Sequence, residues 1–341
     1  MNTKDQNTIT QWAEDQPKHQ AEDLQIKFMA SGHESDNKLE QFCDMLTQLA
    51  PCIKIDKGRD SDIELPEIRV RKNIIYSAVP LAMELKPFLK ALSLASGTSS
   101  SENGTPKKTA KGTISLVPEK IKQDLEKIDI PVQLTLYVAE ACPHCPGVVN
   151  TILPMAFACD HIFLTIIDGT LFTEKAAKNS VMSAPCLILD DDFRWTGAVS
   201  LEEVTDMIVN RKAANLSAST LKMILEDGRA AWIAHQMMEQ NRIFSGFIDL
   251  LTHEIWSVRL GAMVILEELA EENRALAAKI APPLWKIFDK ADIPVKGDIL
   301  YALGEAGDIK IKQEILDITK TLENQELKDA AMEAVENIES R

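Results

Sequence analysis

Gln133-Leu134-Thr135-Leu136-Tyr137-Val138 reads as a strand, because apolar and polar residues alternate with a period of two. Cys142-Pro143-His144-Cys145 follows it and opens a helical pattern at Val148-Val149-Asn150-Thr151-Ile152-Leu153. A Cys-x-x-Cys at a strand-to-helix junction sets the first sulfur over the free N–H groups of a helix N-terminus. That placement lowers a thiol pKa from about 8.5 into roughly the 3.5–7.5 range, so a nucleophilic thiolate is populated near neutral pH. The second sulfur lies one helical turn on, close enough to close a ring with the first. A zinc site would want two such pairs. Cys43, Cys52, Cys159 and Cys186 are scattered singly, so a metal reading needs a fold that gathers them.

Forty positions after Cys145, Ser183-Ala184-Pro185-Cys186 precedes the apolar run Leu187-Ile188-Leu189 and the acidic turn Asp190-Asp191-Asp192. A proline at the first residue of a strand loses no ladder hydrogen bond and says little alone. The order strand, Cys-x-x-Cys, helix, strand, proline, strand resembles the thioredoxin fold. There a cis-proline faces the active-site disulfide, and the backbone beside it docks the partner's chain. The gap is too short for the large helical insertion of the periplasmic oxidases that share the Cys-Pro-His-Cys tetrapeptide. A compact thioredoxin/glutaredoxin-like module is expected, with Pro185 as its cis-proline.

The chain has 341 residues, 45% of them hydrophobic and 26% charged, with a net charge of −15. That length accommodates two to three domains with real cores. The acidic excess argues against nucleic acid and against an anionic membrane as partners. Residues 1–212 carry 23 basic and 30 acidic residues and residues 213–341 carry 14 and 22, so neither part is a hidden basic patch. The start lacks the apolar core of a signal peptide, and no run of eighteen apolar residues occurs. A cytoplasmic protein is expected, where disulfides are transient and catalytic. Neither a Gly-x-Gly-x-x-Gly nor a Gly-x-x-x-x-Gly-Lys occurs, so no cofactor is expected and electrons must arrive from another protein.

The pattern along the chain predicts α/β followed by all-α architecture: two tandem thioredoxin/glutaredoxin-like folds, then an α-solenoid of HEAT-like repeats. Residues 1–20 form a polar N-terminal segment with at most a short helix near Trp12. Residues 21–95 predict a thioredoxin-like fold without a dithiol, with a strand at Leu24 to Ala30 and helices at Asp36 to Leu49 and Leu81 to Leu94. Residues 96–113 are a low-complexity flexible linker. Residues 114–212 repeat the order around the Cys-Pro-His-Cys site. From 218 to 341 helical pairs recur around short acidic turns, with Val258, Val295 and Leu327 at equivalent positions. Tyr301-Ala302-Leu303-Gly304-Glu305-Ala306-Gly307-Asp308 resembles an element of the short HEAT-like repeats.

Residues 21–212 resemble the N-terminal domain of the alkyl hydroperoxide reductase flavoprotein subunit, two tandem thioredoxin folds with one dithiol. Cys142-Pro143-His144-Cys145-Pro146 with Val148-Val149 matches that family's redox segment, as do Ile167-Asp168-Gly169-Thr170 and Phe172. Pro80-Leu81-Ala82-Met83-Glu84 matches a segment whose glutamate lies close to the redox disulfide, and the resemblance gives Glu84 that role. The FAD and NADH modules that follow in the family are replaced here by the helical repeats.

Cys142 is the expected nucleophile and Cys145 the buried resolving thiol. An imidazolium at His144 stabilises the Cys142 thiolate and raises the reduction potential. Leu136 stands where thioredoxin has an acidic residue, so Glu84 becomes the candidate proton carrier for the buried thiol. The alternative for Glu84 is a solvated carboxylate at a helix start. Cys186 reads as a packed thiol, although it could lie near the dithiol. His253-Glu254 is the only such pair in the helical part and reads as ordinary. The expected function is thiol–disulfide exchange with a protein partner selected by the HEAT-like module. A separate reductase is needed, with a peroxiredoxin or a thioredoxin-reductase-like protein as candidates. The rival reading is a redox-sensing adaptor.

Overall fold

Strands form where burial alternates or is continuous, and the seven-residue strand Val132–Val138 has Leu134, Leu136 and Tyr137 essentially without exposure. The computed structural model describes residues 1–16, 24–97 and 116–340. Residues 98–115, which hold most of the low-complexity linker, lie outside the described residues. The chain divides into two units, Met1–Asn210 and Arg211–Arg341.

The first unit begins with α1 (Thr3–Glu14), β1 (Leu24–Ala30), α2 (Asp36–Leu49), β2 (Ile53–Arg59), β3 (Glu67–Arg71), β4 (Ile74–Ser77) and α3 (Leu85–Ala95). It continues with α4 (Glu119–Leu125), β5 (Val132–Val138), α5 (Cys145–Ala158), β6 (Ile162–Asp168), α6 (Thr173–Lys178), β7 (Cys186–Leu189), β8 (Phe193–Thr196) and α7 (Leu201–Val209). The strands make one eight-stranded sheet in the order β2-β1-β3-β4-β6-β5-β7-β8. Within each half the order is second strand, first, third, fourth. Two copies of one thioredoxin-like unit therefore stand side by side, and β4 runs parallel to β6 to join them, with Ile74 opposite Leu164 and Ser77 opposite Ile167.

The join has its own polar clasp. Asn73 is buried, and its Nδ2 donates to the carbonyls of Ala156 and Ile162, each at 2.8 Å. Its own carbonyl accepts from the Leu164 amide at 2.8 Å. Arg71 lies over the Phe157 ring and pairs with Asp160 at 3.0 Å. The sequence treats residues 21–95 and 114–212 as separate folds, whereas the sheet is continuous across them.

The N-terminal segment differs from its polar expectation: α1 spans twelve residues and buries Ile9 and Asp5. The Asp5 carboxylate accepts from the Ala82 amide at 3.3 Å, so α1 fastens the loop that leads into α3. Ala82 has φ 51°, and that left-handed turn delays α3 to Leu85 rather than Leu81.

The second unit is helical: α8 (Ala218–Glu226), α9 (Ala230–Glu239), α10 (Ser245–Leu251), α11 (Trp256–Glu272), the one-turn α12 (Arg274–Ala277), α13 (Ala281–Phe288), α14 (Ile293–Ala306), α15 (Ile309–Thr319) and α16 (Gln325–Glu339). α9, α11, α14 and α16 pack in succession. Asn2, Ser200, Ser217, Asp292, Asp308 and Asn324 cap helices with their side chains, which ends each turn sharply. Arg259 is 3% exposed; its Nε donates to Asp298 at 2.6 Å and its guanidinium also reaches the carbonyls of His253 and Glu254. This buried ion pair bolts α11 to α14.

Candidate active site

β4, β6 and β5 run parallel, so their C-terminal ends open on one edge of the sheet, the usual place for a site in such a sheet. The Cys142 loop leaves that edge after Val138. Cys142 and Cys145 form a disulfide with Cα atoms 5.6 Å apart. Cys142 stays partly exposed, whereas Cys145 is the first residue of α5 and is 0% exposed. The Cys145 amide donates to the Cys142 sulfur at 3.1 Å, and Pro146 next to it has no N–H to offer. The first sulfur thus receives the free donor of the helix start, as a thiolate requires. His144 is exposed at the N-cap of α5, between the two cysteines in sequence.

Pro185 immediately precedes β7, and Ala184–Pro185 is cis. The Ala184 carbonyl lies 3.7 Å from the Cys142 sulfur. Pro185 and Cys142 therefore meet, from elements more than forty residues apart. A groove of about 660 Å³ runs beside them, lined by His144, Val148, Thr151, Pro185, Thr196 and Val199 among others.

Glu84 N-caps α3, beyond the C-terminal end of β4 on the same edge, and α3 packs along α5. It is 5% exposed, and neither carboxylate oxygen has a hydrogen-bond partner. The solvated alternative is thus overturned. Burial, and then the negative charge of Asp168 at the end of β6, push its pKa from 4.5 to about 7. Tyr76 on β4 is also buried with an unpartnered hydroxyl, and burial and the Glu84 charge raise its pKa. No sequence signal marks Tyr76, whose place in a strand looks like any aromatic core position. Leu136 is fully buried and apolar, and Glu140 is exposed.

The remaining four cysteines are free thiols. Cys186 is 3% exposed, opposite Tyr137 and Thr196 in the sheet, and burial raises its thiol pKa. Burial pushes the Cys43 thiol up to about 12 and also raises Cys52 and Cys159. In the second unit, His253 Nδ1 accepts from the Ile255 amide at 3.0 Å while its carbonyl serves Arg259. Among the described residues no helix is long and apolar enough to cross a membrane.

Residues 132–209 match a thioredoxin domain family. The chain is 22% identical over 185 residues to an NADH dehydrogenase of Bacillus subtilis, a match covering 53% of this chain and 33% of that one. It is 21% identical over 184 residues to an alkyl hydroperoxide reductase of Staphylococcus epidermidis, covering 52% and 33%. The NTD_N/C domain of alkylhydroperoxide reductase AhpF from Enterococcus faecalis aligns at 16% identity with a TM-score of 0.47, covering 61% of this chain and 99% of that one. The chain thus spans about a third of the length of these curated relatives. Its first unit resembles the N-terminal domain of the alkyl hydroperoxide reductase flavoprotein subunit, and it carries a thioredoxin-like fold with a Cys-x-x-Cys disulfide.

Proposed function

We propose that this chain is a protein thiol–disulfide oxidoreductase in which Cys142 attacks and Cys145 resolves. The observation that carries the reading is the asymmetry of the pair: one sulfur accessible and held by a helix-start amide at 3.1 Å, the other fully buried. In the reduced protein the Cys142 thiolate attacks one sulfur of a partner disulfide, and the partner's other sulfur leaves as a thiolate. Cys145, deprotonated, then attacks Cys142 and releases the second partner thiol, so two electrons pass to the partner and the Cys142–Cys145 disulfide returns. The Ala184-Pro185 backbone aligns the partner chain beside the sulfurs. A charged His144 favours the Cys142 thiolate. Glu84, with a pKa of about 7, takes the Cys145 proton and returns it when the pair is reduced again.

The second unit belongs to the same proposal, as a HEAT-like solenoid that selects the protein partner. Val258, Val295 and Leu327 support it: each is the third residue of α11, α14 or α16, and each is buried. So does Gly304, where an added Cβ would come within 3.0 Å of the Ala334 backbone, letting α14 and α16 approach closely. A separate reductase supplies electrons in a cytoplasmic setting, with a thioredoxin-reductase-like protein the first candidate for that donor and the disulfide of a peroxiredoxin the first candidate for the acceptor.

Insulin reduction in the presence of dithiothreitol tests the activity. The full chain should accelerate precipitation of the insulin B chain, and Cys142→Ser should abolish the acceleration. No acceleration by the unmodified protein would leave the adaptor reading in its place.

A further inference from the structure

We infer that the exposed face of α11 and α14 is a docking surface for a partner segment that is apolar on one side and rich in lysine or arginine around it. Trp256, Leu260 and Val264 recur every fourth residue on α11, and so share one face of that helix. They are 61%, 44% and 50% exposed. On α14, Ile293 is 52% and Tyr301 37% exposed. Single exposed apolar residues are ordinary on a protein surface, but a stripe that includes a tryptophan and a tyrosine has the composition of an interface centre.

The border of the stripe names the occupant. Glu267, Glu268 and Glu271 continue α11 directly beyond Val264, and Glu305 lies one turn after Tyr301 on α14. The Tyr301 hydroxyl donates to Glu267 at 2.6 Å, which ties the two stripes together. A groove of about 380 Å³ between the helices is lined by Glu267, Glu271, Glu305 and Tyr301, with Arg274 at its edge. The acid is concentrated on this layer: α11, α14 and α16 hold eleven acidic and three basic residues, whereas α8, α9, α10, α13 and α15 hold five and four. One of those three cations, Arg259, is buried against Asp298 and adds nothing to the surface field. Apolar anchors within an acidic rim are complementary to a basic amphipathic segment, with the charges steering the encounter and the aromatics holding it.

This deepens the proposed recruitment of a partner by the helical unit and rests on it. The test uses the reduced full chain and a fluorescent helical peptide of leucine and lysine, with a leucine and glutamate peptide of the same pattern as control. Anisotropy should show binding of the basic peptide alone, weakened by salt. Trp256→Ala/Leu260→Ala/Val264→Ala and, separately, Glu268→Lys/Glu271→Lys should each weaken it about tenfold or more. Trp256, Leu260, Val264 and Glu271 are exposed and Glu268 is half-buried; all are remote in sequence from the sulfurs, so both variants should keep the wild-type rate on a small aromatic disulfide.

Unchanged binding in both variants, or equal binding of the acidic peptide, would overturn the surface. So would a concentration-dependent dimer that the triple substitution dissolves with no peptide binding, since the face would then belong to a second copy. A version of each peptide carrying a thionitrobenzoate mixed disulfide separates the two claims. If the basic peptide binds through the stripe and is reduced no faster than the acidic one, the surface stands and the recruitment role fails.

Discussion

The two halves of the first unit share a strand order and differ at the loop that matters. After β5, Cys142 and Cys145 bring a disulfide to the start of α5. After β1, the equivalent turn is Ser31-Gly32-His33-Glu34-Ser35, and Asp36 opens α2. The Asp36 carboxylate there accepts from the amides of Ser31 and Gly32 at 3.1 and 2.8 Å. One half uses its helix start to hold a sulfur, the other to close a turn. The prolines before the third strands differ too: Ala184–Pro185 is cis and lies against Cys142, whereas Leu65–Pro66 is trans. The half without the dithiol places Glu84, with a buried and unpartnered carboxylate, beyond the end of β4 on the edge where the sulfurs emerge. The sheet is a scaffold that tolerates either loop, and the chemistry resides in the residues at its C-terminal edge.

The sharpest break of this comparison is a pair of substitutions at matched positions. Cys142→Ser should lower disulfide exchange by at least about a thousandfold, since Cys145 is buried and burial raises the pKa of each of the four free thiols. Ser31→Ala, at the matched turn of the other half, should leave kcat/KM within about twofold. A comparable loss for both in the insulin assay would mean that both loops take part.

Glu84 tests whether the first half serves the second. Its folded pKa of about 7 lies above the ordinary 4.5, so the folded state binds its proton more tightly than the unfolded state. Its contribution to stability is complete below about pH 4.5 and is lost as pH rises through about 7. Glu84→Gln should therefore flatten the fall in stability between pH 5 and 8, with a relative gain on the order of 1–3 kcal/mol at the upper end. The same variant should slow resolution of the mixed disulfide and remove its inflection near pH 7. Urea denaturation across that pH range and stopped-flow thiol release read the two effects. A gain in stability with unaltered resolution kinetics would reduce Glu84 to a buried acid without a role in proton transfer.

The seam between the halves comes next in size. Asn73→Ala removes two donated hydrogen bonds across the join and leaves two buried carbonyls short of a partner. A loss of about 2 kcal/mol is expected in urea denaturation. Biphasic unfolding in the variant would show that each half holds together alone. His144→Ala should give the smallest change, lowering the reduction potential by about 30 mV on equilibration with glutathione. The unmodified couple is expected between thioredoxin's value of about −270 mV and the more oxidising limit of about −120 mV.

Much of this edge was legible in the sequence. The strand Leu24–Ala30 and the helix Asp36–Leu49 have the predicted bounds, because alternation and helical spacing are local signals. The meeting of Cys142 with Pro185 was readable only through the resemblance, since no spacing rule brings those positions together. Other features were not legible. The β4–β6 pairing depends on a four-residue strand and one buried asparagine, neither of which has a periodic signature. Helix α1 looked polar because only Ile9 and Asp5 of its twelve residues are buried. Arg259 lay unread among apolar positions of α11, because a buried arginine becomes intelligible only beside its partner Asp298, thirty-nine residues away. Whether Glu84 was buried or solvated could not be told from a helix-start position alone.

The proposed chemistry turns on the partly exposed Cys142, not Cys145, being the attacking thiol. Brief iodoacetamide treatment of the reduced full chain near pH 6, followed by peptide mapping, reads this directly. Label should accumulate on Cys142 while Cys145 stays unmodified, and Cys145→Ser should retain the fast-reacting site and trap mixed disulfides. Preferential labelling of Cys145, or equal labelling of both thiols, would contradict it.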